Sequence, residues 1–113
     1  MEDEKLVILW TSGDREVALN MVFMYALNSK LNGWWDRVTI LIWGPSARLA
    51  VEDEEISVRL TRMAKEGIML EACQACSDVM DVSEDLKKLG VVVKYTGEEM
   101  TEYLKGDCKV LSI

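Results

Sequence analysis

The chain has 113 residues, half of them hydrophobic, which is enough for one domain with its own core and too short for two. Its formal net charge of −7, from 20 acidic and 13 basic residues, is opposite to the charge that nucleic acids and anionic membrane surfaces attract. The chain has no histidine, so any catalysis must rely on carboxylates or thiols.

Several features bear on the compartment. No run of about 18 apolar residues is present to span a membrane. The first five residues, MEDEK, are acidic where a signal peptide is basic. The chain has three cysteines, and an odd count favours free thiols over a disulfide framework. We therefore expect a cytoplasmic protein made of one domain over residues 1–113, without nucleic-acid or membrane partners.

The N-terminal third predicts a strand and a largely apolar helix. Lys5–Trp10 is a continuous apolar run, typical of a strand buried on both faces. Residues 11–14 (TSGD) form a turn with cap residues for a helix start. Every residue from 17 to 27 except Asn20 is hydrophobic, which predicts a helix buried on all sides. Because a sheet covers only one side of such a helix, we expect a homo-oligomer.

The middle of the chain predicts a second strand and two helices. The β-rich run at residues 37–43 stops at a Gly-Pro pair. We expect Ser46 to cap a short helix that ends at residue 51. Residues 52–65 predict a longer amphipathic helix, with an acidic start that complements its dipole and with Gly67 at its C-terminal end.

The remaining sequence predicts three more strands, at residues 68–73, 91–95 and 109–113, and helices at residues 83–89 and 97–104. Thr96 and Glu99 have the spacing of a capping box at the start of the last helix. Strands that alternate with helices indicate right-handed βαβ units. We therefore predict a single α/β domain, a three-layer α/β/α structure with a mostly parallel five-stranded sheet.

Cys73 closes the third predicted strand, at the edge where reactive groups collect in parallel α/β sheets. Residues 74–78 follow as the first turn of a short helix, whose free N–H groups and dipole favour a thiolate. We predict that Cys73 is a nucleophile and that Cys76, in Cys-X-X-Cys spacing, tunes or resolves it. The alternative is that these cysteines pack as small hydrophobic residues, which is our interpretation of Cys108.

Other candidate sites are weaker. Three cysteines without histidine do not supply the four ligands of a structural zinc site, and no nucleotide fingerprint is present, so we expect neither metal nor cofactor. Trp10 and Trp43 end strands at the edge that carries the thiol, where they either line its pocket or belong to the core. Trp34 and Trp35 either anchor a partner or cap the sheet.

Three segments resemble the DsrE/DsrF-like family: residues 67–78 (GIMLEACQACSD), residues 44–49 (GPSARL), and the closing YLKG with VL at residues 110–111. The similarity extends over essentially the whole chain, and Ala-Cys-X-Ala-Cys is its most specific element. It implies a small three-layer α/β domain that assembles as a homotrimer or homohexamer. Cys73 matches the cysteine that carries a persulfide in the sulfur-relay members, whose partners are sulfur donor and acceptor proteins.

These observations lead to three hypotheses. The first is a sulfur carrier or sulfurtransferase subunit that holds a persulfide on Cys73. The second is a non-catalytic oligomeric module with inert thiols that binds a small ligand or a partner's tail. The third is a dithiol redox protein that uses Cys73 and Cys76, against which the absence of the tryptophan and proline of thioredoxin-type sites argues.

Overall fold

The computed structural model describes residues 3–113; Met1 and Glu2, the start of the acidic N-terminus, lie outside the described residues. The strands are β1 (Lys5–Trp10), β2 (Arg37–Ile42), β3 (Met69–Cys73), β4 (Val92–Lys94) and β5 (Lys109–Ser112). The helices are α1 (Arg15–Val17), α2 (Phe23–Leu31), α3 (Ser46–Glu52), α4 (Glu54–Lys65), α5 (Gln74–Val79), α6 (Ser83–Lys88) and α7 (Gly97–Lys105). A π-helical segment, Ala18–Val22, continues α1 into α2.

The five strands form one sheet in the order β4-β3-β2-β1-β5, and every pair of neighbours is parallel. The chain crosses from β1 to β4 in one direction and then returns past β1 to form β5. Because such crossovers are right-handed, this reversal places α7 on the opposite face from the helices that precede β2, β3 and β4. The predicted three-layer α/β/α fold is confirmed, with a sheet that is entirely parallel.

The larger core lies on the face covered by α2, α3, α4 and α6. Alternate strand residues point to it, so β1 contributes Leu6, Ile8 and Trp10. Trp10 is fully buried and packs edge-to-face on Phe23, with ring centroids 5.2 Å apart. The structure therefore supports the interpretation of Trp10 as a core residue and not as a residue that lines the thiol pocket.

The opposite face carries Val7, Leu41, Glu71 and Cys73, all of them buried. Helix α7 packs on this face but contributes no buried residue of its own. Its attachment includes a hydrogen bond of 2.8 Å from the Tyr103 hydroxyl to the Glu71 carboxylate. This side of the sheet therefore depends on polar contacts more than the main core does.

The apolar helix predicted at residues 17–27 is longer than expected, because α1, the π-helical segment and α2 run together from Arg15 to Leu31. It is not buried on all sides within one chain. Met21, Met24 and Leu31 are 44%, 54% and 58% exposed. No helix within residues 3–113 combines the length and apolarity needed to cross a bilayer.

Two helix starts differ from the prediction. Pro45 holds the N-cap position of α3, and the Ser46 hydroxyl instead donates to the Trp10 carbonyl at 2.5 Å, which ties α3 to β1. Helix α4 begins at Glu54, because Asp53 has an extended backbone and acts as the N-cap. Its side chain accepts from the Ile56 N–H at 3.2 Å. The predicted stop at Gly67 is confirmed, with φ +94° in the region that glycine tolerates best.

Candidate functional site: a thiol pair at the sheet edge

Cys73 is both the last residue of β3 and the N-cap of α5. Its backbone is extended (φ −69°, ψ 117°), so its side chain lies beside N–H groups that have no partner inside the helix. The residue is only 5% exposed. The predicted junction of strand and helix is confirmed, and it places the Cys73 sulfur among backbone donors.

The surroundings of Cys73 favour the thiolate. Burial opposes ionisation, but the Cys76 N–H, the Thr96 hydroxyl, the Cys76 thiol and the Ala75 N–H outweigh it and hold the pKa of Cys73 below its usual value. Two of these four donors belong to the backbone of the first turn of α5. A thiolate in such a setting is a stronger nucleophile at neutral pH than an ordinary cysteine.

Cys76 behaves in the opposite way. Burial raises its pKa, and the neighbouring Cys73 sulfur raises it further through a hydrogen bond and through like charge. The Gly44 N–H and the Trp43 indole N–H act against this effect without overcoming it. Cys73 therefore ionises more readily than an ordinary cysteine, and Cys76 ionises less readily.

The structure corrects the capping box predicted for Thr96 and Glu99. Thr96 occupies the N-cap position of α7 without making a side-chain cap hydrogen bond, and Glu99 contacts Lys94 and Tyr103 instead. The Thr96 hydroxyl is fully buried and has no well-aligned hydrogen-bond partner within residues 3–113. It faces the Cys73 sulfur and donates to the ionised form.

The thiol pair lies where three consecutive loops meet. Trp43 and Gly44 follow β2, Cys73 and Cys76 follow β3, and Thr96 follows β4. These are the carboxyl ends of neighbouring parallel strands, where this class of sheet places its ligands. Of the two tryptophans predicted at this edge, Trp43 reaches the thiols.

Ser77 fixes the first turn of α5 behind the thiols. It is fully buried, and its hydroxyl donates to the Cys73 carbonyl at 3.0 Å. The Ser83 hydroxyl, at the start of α6, lies 2.9 Å from the Ser77 hydroxyl. These contacts connect α5 to α6 and limit the freedom of the backbone that carries the donors to Cys73.

A polar cluster around one buried carboxyl group accompanies the thiol on the same face of the sheet. This Glu71 cluster consists of Glu71, Lys94, Glu99 and Tyr103. Lys94 Nζ lies 2.9 Å from Glu71 Oε2 and 2.5 Å from Glu99 Oε2, and Tyr103 Oη donates at 2.8 Å to Glu71 or at 2.7 Å to Glu99. Lys94 is also the register partner of Cys73 across the β3–β4 pair.

The two carboxyl groups of the Glu71 cluster have opposite pKa directions. Burial, followed by the hydrogen bond with Glu99, raises the pKa of Glu71. Burial also disfavours charge on Glu99, but hydrogen bonds from Glu71 and Lys94 outweigh it and lower the pKa of Glu99. Glu71 therefore retains a proton at higher pH than an ordinary carboxyl group, whereas Glu99 loses its proton at lower pH.

The Glu71 cluster and the role of Thr96 were not predicted from the sequence. The available signal was a single acidic residue, Glu71, inside the apolar strand MLEAC, and a lysine at the end of the neighbouring strand VVK. A charge at a buried strand position needs partners. That requirement pointed to a polar contact across the β3–β4 pair.

The other predicted residues lie apart from the thiol pair. Cys108 precedes β5, on the far side of β1, and remains a structural residue in our interpretation. Trp34 stacks at a tilt on Tyr25, with centroids 6.1 Å apart, and the Trp35 indole donates to the Tyr25 hydroxyl at 3.1 Å. Within residues 3–113, no group of three cysteine, aspartate or glutamate side chains is arranged to hold a metal ion.

Comparison with solved structures gives three similar chains. BT1422 from Bacteroides thetaiotaomicron, a conserved protein of unknown function, is 43% identical, with a TM-score of 0.95 over 97% of this chain and 95% of that one. The YchN protein from E. coli is 16% identical, with a TM-score of 0.74 over 97% and 99% of the two chains. MTH1491 from Methanobacterium thermoautotrophicum, of unknown function, is 15% identical, with a TM-score of 0.80 over 98% and 100%.

The last two similarities establish the fold alone, which is a DsrE/YchN-like fold. No family model and no curated protein matches the sequence. An assignment of function therefore depends on the chemistry of the site.

Proposed function

Because the chain belongs to the same family as BT1422, a protein of unknown function, we propose its activity from the site itself: it is a sulfur carrier that holds a persulfide on Cys73. The observation that carries the proposal is the set of hydrogen-bond donors around one buried sulfur. The DsrE/YchN-like fold agrees with this proposal, since the resemblance to the sulfur-relay family falls on the same cysteine.

The loading step follows from this arrangement. The Cys73 thiolate attacks the outer sulfur of a persulfide or polysulfide donor, R–S–SH, and forms a Cys73–S–SH persulfide. The S–S bond of the donor breaks, and the donor leaves as its thiolate, R–S⁻. The new terminal sulfur is easily ionised and needs hydrogen-bond donors, for which the buried Thr96 hydroxyl is available.

The exposure of Cys73 bears on the kind of donor. With 5% of the residue exposed, the sulfur is within reach of a small group or an extended chain end and not of a flat protein surface. Inorganic polysulfide and a protein persulfide on a projecting segment both meet that requirement. We therefore propose that the physiological donor presents its sulfane sulfur at the tip of a narrow group.

Intact mass spectrometry tests the proposal. We expect brief exposure to inorganic polysulfide to add one sulfur atom to the Cys76→Ser variant, and the Cys73→Ser, Cys76→Ser double variant to gain none. Cys108→Ser is the matched control, because it removes a free cysteine away from the site. Equal labelling of the Cys76→Ser and double variants would overturn the proposal.

A dithiol redox protein is the second candidate, because Cys76 lies in the first turn of the helix that begins at Cys73. It requires a reversible Cys73–Cys76 disulfide that forms without any sulfane donor. Thiol counting across a redox titration with a dithiol buffer detects such a couple. If both thiols are inert in the folded protein, the remaining alternative is a non-catalytic binding module.

We also propose that the chain forms a homotrimer or homohexamer. A groove of about 680 Å³ between α2 and α4 is lined by apolar side chains, including Met24 and Val58, which are 54% and 62% exposed, and by charged side chains of α4. A second copy would cover these side chains. Light scattering after size exclusion tests this proposal: we expect Met24→Glu to lower the mass of the assembly and Val79→Glu, at an exposed residue of α5, to leave it unchanged.

A further inference from the structure

We infer that Cys76 resolves the persulfide on Cys73, so that the protein releases hydrosulfide and closes a Cys73–Cys76 disulfide. The inference rests on the proposed carrier function and adds a sulfide-releasing activity to it. It assigns a chemical task to Cys76, which a simple relay of sulfur through Cys73 does not require.

The geometry permits the disulfide. Cys73 is the N-cap of α5 and Cys76 lies three residues further, in its first turn, so the two side chains are neighbours at the helix start. Side chains three residues apart in a helical turn have Cβ atoms about 5–6 Å apart, and a disulfide needs about 3.5–4.5 Å. Closing the bond therefore requires the two Cβ atoms to approach each other by about 1–2 Å, against the hydrogen bond that the Ser77 hydroxyl donates to the Cys73 carbonyl.

Donors to Cys76 provide an independent observation. Hydrogen bonding from the Gly44 N–H and the Trp43 indole, both in the loop after β2, acts to lower the pKa of Cys76 against the effect of burial. Neither group contributes among the main donors to Cys73. Donors to a sulfur stabilise its anion, so these two groups offset part of the cost of negative charge on Cys76 during the attack.

Resolution of the persulfide consists of a proton transfer followed by an attack of Cys76 on Cys73. The Cys76 thiol passes its proton to the terminal sulfur of the Cys73–S–S⁻ persulfide, and the resulting Cys76 thiolate attacks the inner sulfur, Cys73 Sγ. The Cys73–Cys76 bond forms, the bond to the terminal sulfur breaks, and that sulfur leaves as HS⁻. The sulfane sulfur is reduced by two electrons, which come from the oxidation of two thiols to one disulfide.

The resting protonation states agree with this order of events. The pKa of Cys76 is raised by burial and by the nearby Cys73 sulfur, so Cys76 keeps its proton to a higher pH than Cys73 does. Once a persulfide has formed, the charge moves outward to the terminal sulfur and Cys76 has an acceptor for its proton. For repeated turnover, an external dithiol reductant must reduce the disulfide back to two thiols.

Single-turnover experiments in a Cys108→Ser background test the inference. Each variant is exposed to inorganic polysulfide and desalted, and its intact mass and the released sulfide are then followed in time. We expect Cys76→Ser to keep one added sulfur. The chain with both site cysteines is expected to lose that sulfur, release one HS⁻ per chain and end two hydrogens lighter than the reduced protein.

Trp43→Phe separates resolution from loading. We expect it to slow the release of sulfide about tenfold more than it slows loading, which corresponds to the loss of one hydrogen bond to an anionic sulfur. If the protein with both cysteines retains its added sulfur as long as Cys76→Ser does, the inference is overturned while the carrier function stands. If Cys76→Ser gains no sulfur, the carrier function fails first.

Discussion

Replacing Thr96 with valine separates the ionisation of Cys73 from the stability of the fold. Valine preserves the shape of threonine and removes only the hydroxyl, which is buried and lacks a well-aligned partner in the resting protein. Removing such a group relieves a desolvation cost of about 1–3 kcal/mol. At acidic pH, where Cys73 is a thiol, we expect Thr96→Val to raise the free energy of unfolding by about 1 kcal/mol.

The effect on Cys73 has the opposite sense. A hydrogen bond to a charged group contributes about 1.5–3 kcal/mol, and one pKa unit corresponds to about 1.4 kcal/mol. Because three other donors remain on the thiolate, we take the lower limit and expect the pKa of Cys73 to rise by about one unit. The measurement is the pH dependence of iodoacetamide alkylation, with Cys73 resolved by peptide mapping.

The sign of the pH dependence follows from the lowered pKa. A thiol with a lowered pKa in the folded state stabilises the fold above the ordinary cysteine pKa of about 8.5, and this contribution is lost as the pH falls through the folded-state value. Thr96→Val therefore loses about 1.4 kcal/mol of this alkaline contribution, which cancels its advantage at acidic pH.

Thr101→Val is the matched control, because Thr101 lies on the same helix and its hydroxyl donates to the Gly97 carbonyl at the surface. We expect it to leave the alkylation profile unchanged. An unchanged profile in Thr96→Val, together with lower stability at acidic pH, would show that the hydroxyl serves the fold and not the sulfur.

Three further substitutions test the contacts around the site. Because the pKa of Glu71 is raised in the folded state, the free energy of unfolding should fall as the pH rises from about 4.5, and Glu71→Gln should remove that fall in urea denaturation series. Tyr103→Phe should cost about 1–2 kcal/mol and accelerate amide hydrogen exchange in α7, whereas Tyr95→Phe, at a residue that is 71% exposed, should do neither. Ser46→Ala should cost only about 1 kcal/mol in thermal unfolding, because the Trp10 carbonyl, which loses the Ser46 hydroxyl, still accepts from the Trp43 N–H. A loss above about 3 kcal/mol would contradict this account.

The alternation of strands and helices could be predicted because each element has its own local pattern of buried hydrophobic residues. Lys5–Trp10 was placed to the residue, and the other strands ended within two residues of their predicted bounds. The order β4-β3-β2-β1-β5 was not readable, since it depends on which way each crossover turns along the sheet and not on any local pattern.

The candidate site was predictable only where it is local. Cys73 and Cys76 lie in one turn, so their spacing in the sequence reveals their contact. The donors from Gly44 and Thr96 come from other loops, and their approach to the sulfurs follows from strand order. Thr96 was also misassigned because a threonine three residues before a glutamate has the pattern of a capping box, and the strong partners of Glu99 prevailed over that local preference.

The position of Cys73 at the start of α5 has a consequence for how the site can change over evolution. Two of the groups that activate the sulfur are main-chain amides, which almost every amino acid carries. Mutation of neighbouring side chains can therefore change which protein donates or accepts the sulfur atom, while the activation of Cys73 by these two amides stays intact. Thiol reactivity thus depends largely on the path of the backbone, and proteins that share this fold can evolve different partners without losing it.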